Sequence, residues 1–517
     1  MDDPERMMER FAREVIDGIL SGAIRSREEL QTVKLKMSHR YRLEAVPLNS
    51  AILAHVRSEE REVVEPFLVK KPVRTISGVA VVAVMTSPHP CPHGKCMFCP
   101  GGVENDSPQS YTGKEPAARR AARNEFDPWK QVSDRIKQLE EIGHRTDKID
   151  LIIMGGTFTC RDPEYQEWFV RRCFDAMNGR DAPDIVTAQE WNTVSSHRCV
   201  GLTVETRPDS FGEEQIRRSM ELGATRVELG VQLLNDDILA SVNRGHGIKE
   251  IAECTELCRR HGLKVCYHIM PGLPGSDPAE DMRSFRMMFE DSRFRPDMLK
   301  FYTTLVIEGT GLYDMWKDGR YEPYDVDTAV ELLSDMKAEV PEYVRIQRIQ
   351  RDIPAPQIAA GILRSNIRQL VQQRLSNTAR ACRCIRCREV GHSGAVLDDP
   401  YKVGFRIVEY DASGGREHFI SLVYGDSLIG YIRLRTDGSD MATIRELKVF
   451  GKIASIGERG KDWQHRGYGK ELVAEAERLA RSSGASRIRV TSGVGVREYY
   501  ASLGFVLERP YMAKDLT

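Results

Sequence analysis

The sequence predicts an α/β protein with a barrel-like domain followed by a smaller, separate α/β domain. Between about residues 75 and 350, short apolar runs alternate with polar stretches of helical character, which is the pattern of parallel strands joined by helices. A second set of strand-like runs begins after residue 396 and leads into one helix and one more strand. An arginine-rich segment lies between the two patterns and is predicted to be a connector.

Composition restricts the class of protein. The chain has 517 residues, of which 41% are hydrophobic and 29% are charged, as in soluble globular proteins. The net charge of −1 says nothing about nucleic-acid binding, so any such signal must be local. The charged N-terminus has no apolar signal segment, and no apolar run approaches the roughly 20 residues of a membrane span. We therefore expect a cytoplasmic protein without membrane contact, whose 12 cysteines bind metal rather than form disulfides.

Residues 1–74 are predicted to form a basic helical region. Phe11, Val15 and Ile19 repeat at helical spacing. Basic side chains follow, and we expect them to contact RNA phosphates, although a solvated helix face explains them equally well. These candidates are Lys34, Lys36, Arg40, Arg42, Lys70, Lys71 and Arg74.

The barrel domain is predicted over residues 75–360. Its strand-like runs are 78–85, 149–154, 201–205, 226–231, 264–270 and 298–302, and helices are predicted over 127–143 and 212–222. Several of these runs end in glycine or polar residues. In βα barrels the chemistry lies at the carboxyl ends of the strands, so these ends are where a cofactor is expected.

Cys91, Cys96 and Cys99 follow the first predicted strand in one short loop. Three thiolates can bind three irons of a [4Fe–4S] cubane and leave the fourth iron open to a substrate or cofactor. The alternative is a closed zinc site in which His93 supplies the fourth ligand.

The connector, residues 361–395, is rich in cysteine and arginine. Cys382, Cys384 and Cys387 fit a zinc knuckle that needs one further ligand, with His392 nearby, and a second iron–sulfur cluster is the alternative. Seven arginines and one acid lie between residues 364 and 392, which indicates a phosphate-binding surface. We single out Arg383, Arg386 and Arg388 for it, with an inter-domain salt-bridge hub as the alternative.

The C-terminal domain is predicted over residues 396–517. Strand-like runs cover 405–409, 418–424, 427–435 and 446–450, before a helix at 469–482 and a strand at 487–491. A turn with two glycines precedes the helix. Such a turn lets backbone N–H groups and the helix N-terminus approach a pyrophosphate. A domain that binds no nucleotide is the alternative.

The motifs together resemble the catalytic subunit of Elongator, from about residue 70 to the end. They are Cys-Pro-Gly-Gly after the cysteine loop and the segments 109–113, 154–158, 205–209, 243–246, 350–354 and 493–496. The cysteine spacing and the cysteine-rich connector are similar to prokaryotic members. The resemblance implies a radical S-adenosylmethionine (SAM) domain, with a partial TIM-type (βα) barrel, fused to a GCN5-related acetyltransferase (GNAT) domain.

The resemblance also implies which residues bind the ligands. For SAM they are Gly155, Gly156, Glu205, Arg207 and Gln232, with ordinary barrel turns as the alternative. For acetyl-CoA they are Lys148, Glu446, Leu447, Lys448, Val449, Gln464, Gly467, Tyr468, Gly469, Lys470, Tyr499 and Tyr500. Lys148 and Tyr500 are the expected catalytic residues, and the acetyl group is expected to face the barrel mouth.

The implied activity is modification of the wobble uridine of tRNA at C5, giving a carboxymethyl group from acetyl-CoA. A 5′-deoxyadenosyl radical that takes hydrogen from the acetyl methyl group explains why one chain needs both domains. The expected partner is the tRNA anticodon stem-loop, without the other Elongator subunits, and a homodimer is left open. A protein lysine acetyltransferase with a structural cluster and a non-catalytic tRNA-binding scaffold are the competing hypotheses.

Overall fold

A computed structural model of the protein describes residues 4–43, 45–69, 75, 78–393, 402–450 and 467–516. Lys70, Lys71, Arg74 and Gln464, which the sequence singled out, lie outside these residues. No helix within the described ranges combines the length and the apolar character that a membrane span requires.

The N-terminal region is a small helical bundle with its own core. Its helices are α1 (Pro4–Leu20), α2 (Arg27–Arg40), α3 (Asn49–Leu53) and α4 (Arg61–Leu68). The predicted apolar stripe of Phe11, Val15 and Ile19 is buried in this core, which confirms the predicted helix. Helix α2 begins where the Ser26 side chain accepts the backbone N–H of Glu29, as an N-cap does.

Seven parallel strands form the sheet of the second domain, in the order β1-β2-β3-β4-β5-β6-β8. The strands are β1 (Ala80–Met85), β2 (Lys148–Met154), β3 (Arg198–Thr206), β4 (Arg226–Gln232), β5 (Lys264–Ile269), β6 (Met298–Phe301), β7 (Val306–Ile307), β8 (Arg345–Ile349) and β9 (Ile358–Ala360). Strands β7 and β9 pair separately as an antiparallel ribbon. Because β1 and β8 are the two edges of the sheet, the barrel is partial and open along one side, as expected. Strand β8 was not predicted from the sequence.

Helices cover the outer face of this sheet. They are α5 (Pro116–Arg123), α6 (Pro128–Glu141), α7 (Pro163–Asn178), α8 (Ile185–Asn192), α9 (Glu213–Glu221), α10 (Asp236–Ser241), α11 (Ile248–Arg260), α12 (Pro278–Glu290), α13 (Gly311–Lys317), α14 (Val326–Glu339), α15 (Ile367–Asn377), α16 (Ile385–Arg388) and α17 (Val390–Ser393). Asp127, Asp162 and Asp277 each accept a backbone N–H of the helix that follows, and each precedes a proline. This Asp-Pro pair fixes where those helices begin. Helix α15 packs on α14, so the connector continues the barrel domain.

The C-terminal domain is a second seven-stranded sheet, in the order β10-β11-β12-β13-β14-β16-β15. Its elements are β10 (Val403–Ala412), β11 (Gly415–Tyr424), β12 (Ser427–Thr436), β13 (Met441–Val449), α18 (Tyr468–Ser482), β14 (Arg487–Val490), α19 (Arg497–Ala501), β15 (Val506–Glu508) and β16 (Tyr511–Asp515). Strands β13 and β14 pair in parallel only as far as Ile444 and Val490. The remainder of β13 therefore diverges from β14. Strands β15 and β16 were not predicted.

The C-terminal domain packs against the amino ends of the barrel strands. Arg445 of β13 is fully buried, and its guanidinium donates to both carboxylate oxygens of Asp297 at 2.8 and 2.6 Å and to the carbonyl of Leu263 at 2.9 Å. Gly493 lies against β3 so closely that an added Cβ would come within 2.2 Å of the Val200 carbonyl oxygen. A side chain at this position would push the two domains apart. They form one continuous apolar core.

Candidate functional sites

The cysteine loop lies at the carboxyl ends of the strands, on the wall of a cavity of about 1070 Å³. Cys96 and Cys99 are buried and Cys91 is half-buried. The sulfur atoms of the three connector cysteines, Cys382, Cys384 and Cys387, all lie within 4.8 Å of one another. Those of the cysteine loop do not. A zinc ion with Zn–S distances near 2.3 Å would hold its sulfurs about 3.8 Å apart, whereas a cubane spreads them because each binds a different iron. The three cysteines are therefore compatible with a cluster.

His93 is already engaged by another side chain. Its Nε2 atom lies 2.7 Å from the Arg207 guanidinium and 3.1 Å from Cys96 Sγ. Burial, together with the charges of Arg207 and Arg244, lowers the pKa of His93 to about 4, so the ring is neutral. Because Arg207 can only donate, Nε2 acts as the acceptor. This contact argues against Nε2 as the fourth ligand of a zinc site.

Each sulfur of the loop has a polar neighbour. The hydroxyl of Thr157 lies 3.4 Å from Cys91 Sγ. Arg244 points its guanidinium at Cys96 Sγ over 3.4 Å, and the backbone N–H of Ser110 donates to Cys99 Sγ over 3.2 Å. Burial raises the pKa of Cys91 and Cys99, so the thiolates depend on a bound cation and on these donors. The donor set fits an iron–sulfur cluster, whose potential is tuned by hydrogen bonds to sulfur.

The residues expected to bind SAM surround the same cavity. Gly156, Glu205, Arg207 and Gln232 line it together with the three cysteines. Gly155 adjoins it with a φ of +139°, and an added Cβ would lie 2.1 Å from the Thr86 hydroxyl. A Cβ on Gly156 would lie 2.8 Å from that of Gln109. The amide oxygen Oε1 of Gln232 is buried and has no hydrogen-bond partner within the described part of the chain, which is consistent with a polar ligand beside it.

Glu205 and Arg207 are already held by neighbouring groups. The Tyr111 hydroxyl donates to Glu205 over 2.7 Å, and burial next to this carboxylate raises the pKa of Tyr111 well above its usual value. Arg207 makes two hydrogen bonds to Asp209, at 3.0 and 2.6 Å. These contacts fix both side chains in place before a ligand arrives.

The sequence reasoning missed several charged side chains inside the barrel. Glu228 is fully buried on β4, where Lys300 forms an ion pair with it and His268 lies 2.9 Å away. Below them, Arg226 pairs with Asp150 at 3.0 Å. The available signal was a charged residue in the middle of an otherwise apolar strand. Such a residue points to a polar barrel interior, because lone buried charges are unfavourable.

The C-terminal domain has the geometry expected for an acyl-CoA cradle. Where β13 separates from β14, residues 446–449 can pair with an extended ligand on that side. Gly467 has a φ of +93° at the start of α18, and an added Cβ on Gly469 would lie 2.6 Å from the Tyr499 hydroxyl. That hydroxyl is buried and has no hydrogen-bond partner among the residues that the structure describes. Tyr468 is buried and Lys470 is exposed in the first turn of the same helix.

Tyr500 packs edge-on against Tyr499 and Phe505, and burial raises its pKa, with further effects from Tyr499 and Glu446. Because the charge of Glu446 acts on Tyr500, this side chain lies near the part of β13 that diverges from β14.

The structure places the two expected sites at opposite ends of the barrel strands. Lys148 is the first residue of β2 and pairs with Arg198, on the side covered by the C-terminal domain, and burial lowers its pKa. Gly155 and Gly156 follow the last residue of the same strand, about 20 Å away at 3.3 Å per residue. Lys148 therefore lies at the base of the barrel and not at its mouth, and the direction of the acetyl group stays a prediction. Sequence order alone does not reveal at which end of the strands a second domain docks.

The connector cysteines form a compact thiol group. The sulfurs of Cys382, Cys384 and Cys387 all lie within 4.8 Å of one another, as three ligands of a zinc ion would. The suggested fourth ligand His392 is not part of this group, and its Nε2 atom lies 3.2 Å from Glu389. The Lys337 ammonium lies 3.7 Å from Cys387 Sγ.

Four of the seven predicted RNA-binding side chains that the structure describes have protein partners. Arg383 and Arg388 both pair with Glu342, at 3.1 Å each, and Arg386 is half-buried. Lys34 is buried and donates to Asn49 Oδ1 over 2.7 Å. Arg40 forms an ion pair with Glu14, whereas Lys36 and Arg42 are exposed. The structure thus favours the salt-bridge hub for the connector arginines.

Comparisons with known proteins agree with this architecture. Family models match the radical SAM superfamily over residues 87–287, the radical SAM C-terminal domain over 296–377, the acetyltransferase (GNAT) family over 389–505 and the ELP3 N-terminal domain over 8–76.

Similar proteins include the tRNA uridine(34) acetyltransferase of Methanocaldococcus jannaschii, 47% identical over 100% of this chain and 99% of that protein. Human Elongator complex protein 3 is 41% identical over 94% of this chain and 93% of its own. The solved structure of Methanocaldococcus infernus Elp3 with an N-terminal deletion is 44% identical, with a TM-score of 0.76, covering 85% of this chain and 100% of that one. A radical SAM domain and a GNAT domain joined over the full length of such relatives place this chain in the Elongator complex protein 3 family.

Proposed function

We propose that this protein modifies the wobble uridine of tRNA, using SAM and acetyl-CoA to form a carboxymethyl group at C5. The proposal takes its substrate from the relatives that are named tRNA uridine(34) acetyltransferase. The single observation that carries it is the docking of an acyl-CoA cradle onto the base of a barrel whose opposite end holds an open cysteine cavity. Two ligand sites built into one packed body fit a reaction that consumes both ligands.

The cysteine cavity provides the site where a [4Fe–4S] cluster and SAM fit. When bound, this pair supplies one-electron cleavage of SAM and a 5′-deoxyadenosyl radical. The chain's own residues hold the loop in position. Arg244 directs positive charge at Cys96, and the N–H of Ser110 supports Cys99. Gly155 and Gly156 let the turn after β2 pack closely against Thr86 and Gln109, because an added Cβ would lie 2.1 and 2.8 Å from atoms of those side chains.

The acyl-CoA cradle positions the thioester at the base of the barrel. The free part of β13, with Glu446, Leu447, Lys448 and Val449, is suited to pair with pantetheine. The N-terminus of α18 is suited to the pyrophosphate, because its first N–H groups carry partial positive charge. The buried hydroxyl of Tyr499 is available as a donor beside the ligand.

Several further assignments belong to the same proposal. A zinc ion held by Cys382, Cys384 and Cys387 would stabilise the connector, and metal analysis of the purified protein tests this assignment. We propose that the enzyme works in the cytoplasm on the anticodon stem-loop, without other Elongator subunits. Its oligomeric state can be measured by light scattering.

The decisive experiment uses acetyl-CoA deuterated at the methyl group, together with the full-length protein, SAM, a reductant and tRNA. We expect carboxymethyluridine in the tRNA and deuterium in 5′-deoxyadenosine, because the methyl group is the proposed hydrogen donor. Radical transfer needs the reacting atoms within about 3–4 Å, so the acetyl group must leave the base of the barrel and reach the cavity. Modification without deuterium transfer would rule out the methyl group as the donor.

Two variants separate the competing hypotheses. Cys96→Ser should abolish the iron–sulfur absorbance, SAM cleavage and uridine modification. If acetylation of a protein lysine persisted in this variant while tRNA was never modified, a lysine acetyltransferase with a structural cluster would be favoured. Tyr500→Ala should stop modification while the iron content stays constant. If the wild-type protein bound tRNA but cleaved no SAM, the scaffold hypothesis would be correct.

A further inference from the structure

The open side of the barrel is bordered by arginine side chains. Strands β1 and β8 form the two edges of the sheet, so the cavity reaches the surface between them. Helix α5 packs beside β1 with Ala118 and Ala121 buried. The arginines of α5 and α6 that line the cavity are Arg119, Arg120, Arg123 and Arg135. Arg348 and Arg351 lie at the β8 edge.

Arg120 of the α5–α6 group lies close to two further arginines, Arg135 and Arg123, and to one acid, Asp134. Asp134 pairs with Arg123 at 2.8 Å, and Glu115 accepts the backbone N–H of Thr112. Arg120 donates to the carbonyl of Ala83, and its Nε atom is buried without a partner. Burial, with the charges of the neighbouring arginines, lowers the pKa of Arg120 to about 10. No ion pair of Arg119 is found among the residues that the structure describes.

The positions of these arginines indicate an anionic ligand larger than SAM. Arg119 and Arg123 are exposed, and they lie four residues apart on one helix, a spacing at which like charges destabilise the helix. SAM offers a single carboxylate with one negative charge. The arginines of α5 and α6 are several, and they extend from the cavity to the outer surface of α5. A chain of phosphates matches both the number of charges and their extended arrangement.

We propose that Arg119, Arg120, Arg123 and Arg135 bind the sugar–phosphate backbone of the RNA loop whose base enters the cavity through the open side. This inference rests on the proposed function and adds a binding surface to it. It replaces the connector arginines, which pair with Glu342, as the main phosphate contacts near the reaction site. Arg348, paired with Asp352 at 2.7 Å, borders the opposite edge.

The test measures binding of a short RNA hairpin, with a uridine at the wobble position, as a function of salt. The full-length protein carries Arg119→Gln with Arg135→Gln, and the matched control carries Arg217→Gln with Arg218→Gln. The control arginines lie on α9, pair with Glu221 and Glu214 and do not line the cavity. We expect the slope of log Kd against log salt to fall by about 1.4 in the first variant, from about 0.7 per lost phosphate on a single strand. The control slope should match the wild type.

One further variant separates charge from packing. Arg119→Lys should keep most of the wild-type slope, because a lysine keeps the phosphate contact as a point charge. Iron content and thermal unfolding confirm that each variant is folded. Equal slopes for the cavity variant and the control would overturn the inference, as would a loss of SAM binding with unchanged RNA binding. If the wild-type protein itself failed to bind the hairpin, the proposed function would fail instead.

Discussion

Replacement of Asp297 by asparagine should loosen the contact between the two domains. The Asp297 carboxylate is fully buried, accepts both hydrogen bonds from Arg445 and the backbone N–H of Val265 at 2.9 Å, and lies 3.4 and 3.8 Å from Arg433 and Arg259. Asparagine keeps the shape but removes the charge, and it turns an amide N–H₂ group toward guanidinium donors. The variant thus leaves buried arginines without their central anion.

The expected loss in the free energy of unfolding is about 3 kcal/mol. Breaking a buried ion pair by removing one partner costs about 3–5 kcal/mol. We take the lower value because Glu417 still faces Arg445 at 2.8 Å and Arg259 at 3.1 Å. Burial opposes ionisation of Asp297, but Arg445, Arg259 and Arg433 hold its pKa well below the usual range. The stabilisation is therefore fully present above pH 4 and is lost only as the pH falls far below that.

The assay is urea unfolding at pH 7, with Asp318→Asn as the control. Asp318 pairs with Arg320 at 2.8 Å, but both side chains are 60% exposed, so its replacement should change the free energy of unfolding by less than about 0.5 kcal/mol. Uridine modification should also fall in Asp297→Asn, because the acyl-CoA cradle is no longer held against the barrel. If the two variants were equally stable, the buried charge cluster would not be what joins the domains.

Two further predictions concern single positions. Gly156→Ala should weaken SAM binding about tenfold in equilibrium dialysis, because the added Cβ meets Gln109 at 2.8 Å and overpacking costs about 1–3 kcal/mol. The control Gly179→Ala, at a position with φ +70° and open space around it, should leave SAM binding unchanged. Burial lowers the pKa of Lys264 to about 8, whereas a lysine in the unfolded chain has a pKa of roughly 10.4. Between these two pH values the native state binds fewer protons than the unfolded state, so the free energy of unfolding should rise with pH. The unfolding midpoint should show this rise in the wild type and in Lys249→Met, but not in Lys264→Met, and parallel profiles for all three would contradict the burial of a charged Lys264.

The sequence by itself determined the elements whose signals are local. The cysteine loop, the glycines after β2 and the turn before α18 depend on a few consecutive residues and on backbone geometry that glycine permits. Strand and helix periodicity then predicted a parallel sheet or barrel and a second α/β sheet, and the family resemblance implied that the barrel is partial. Strand β8 (Arg345–Ile349) was not predicted because charged and polar residues interrupt its apolar residues. The charge of Arg345 is buried and paired only in the folded chain.

Only the tertiary structure decided which charged side chains form ion pairs with one another. Arg445 pairs with Asp297 across 148 residues of chain, and Arg383 and Arg388, which the sequence predicts as RNA contacts, pair with Glu342. The same docking placed Lys148 at the base of the barrel, opposite Gly155 and Gly156. The strength of an ion pair depends on burial and distance, and both are set by packing between segments that are remote in sequence. Residue types and spacing therefore predict which groups can act, while the docking of the domains determines which of them remain available.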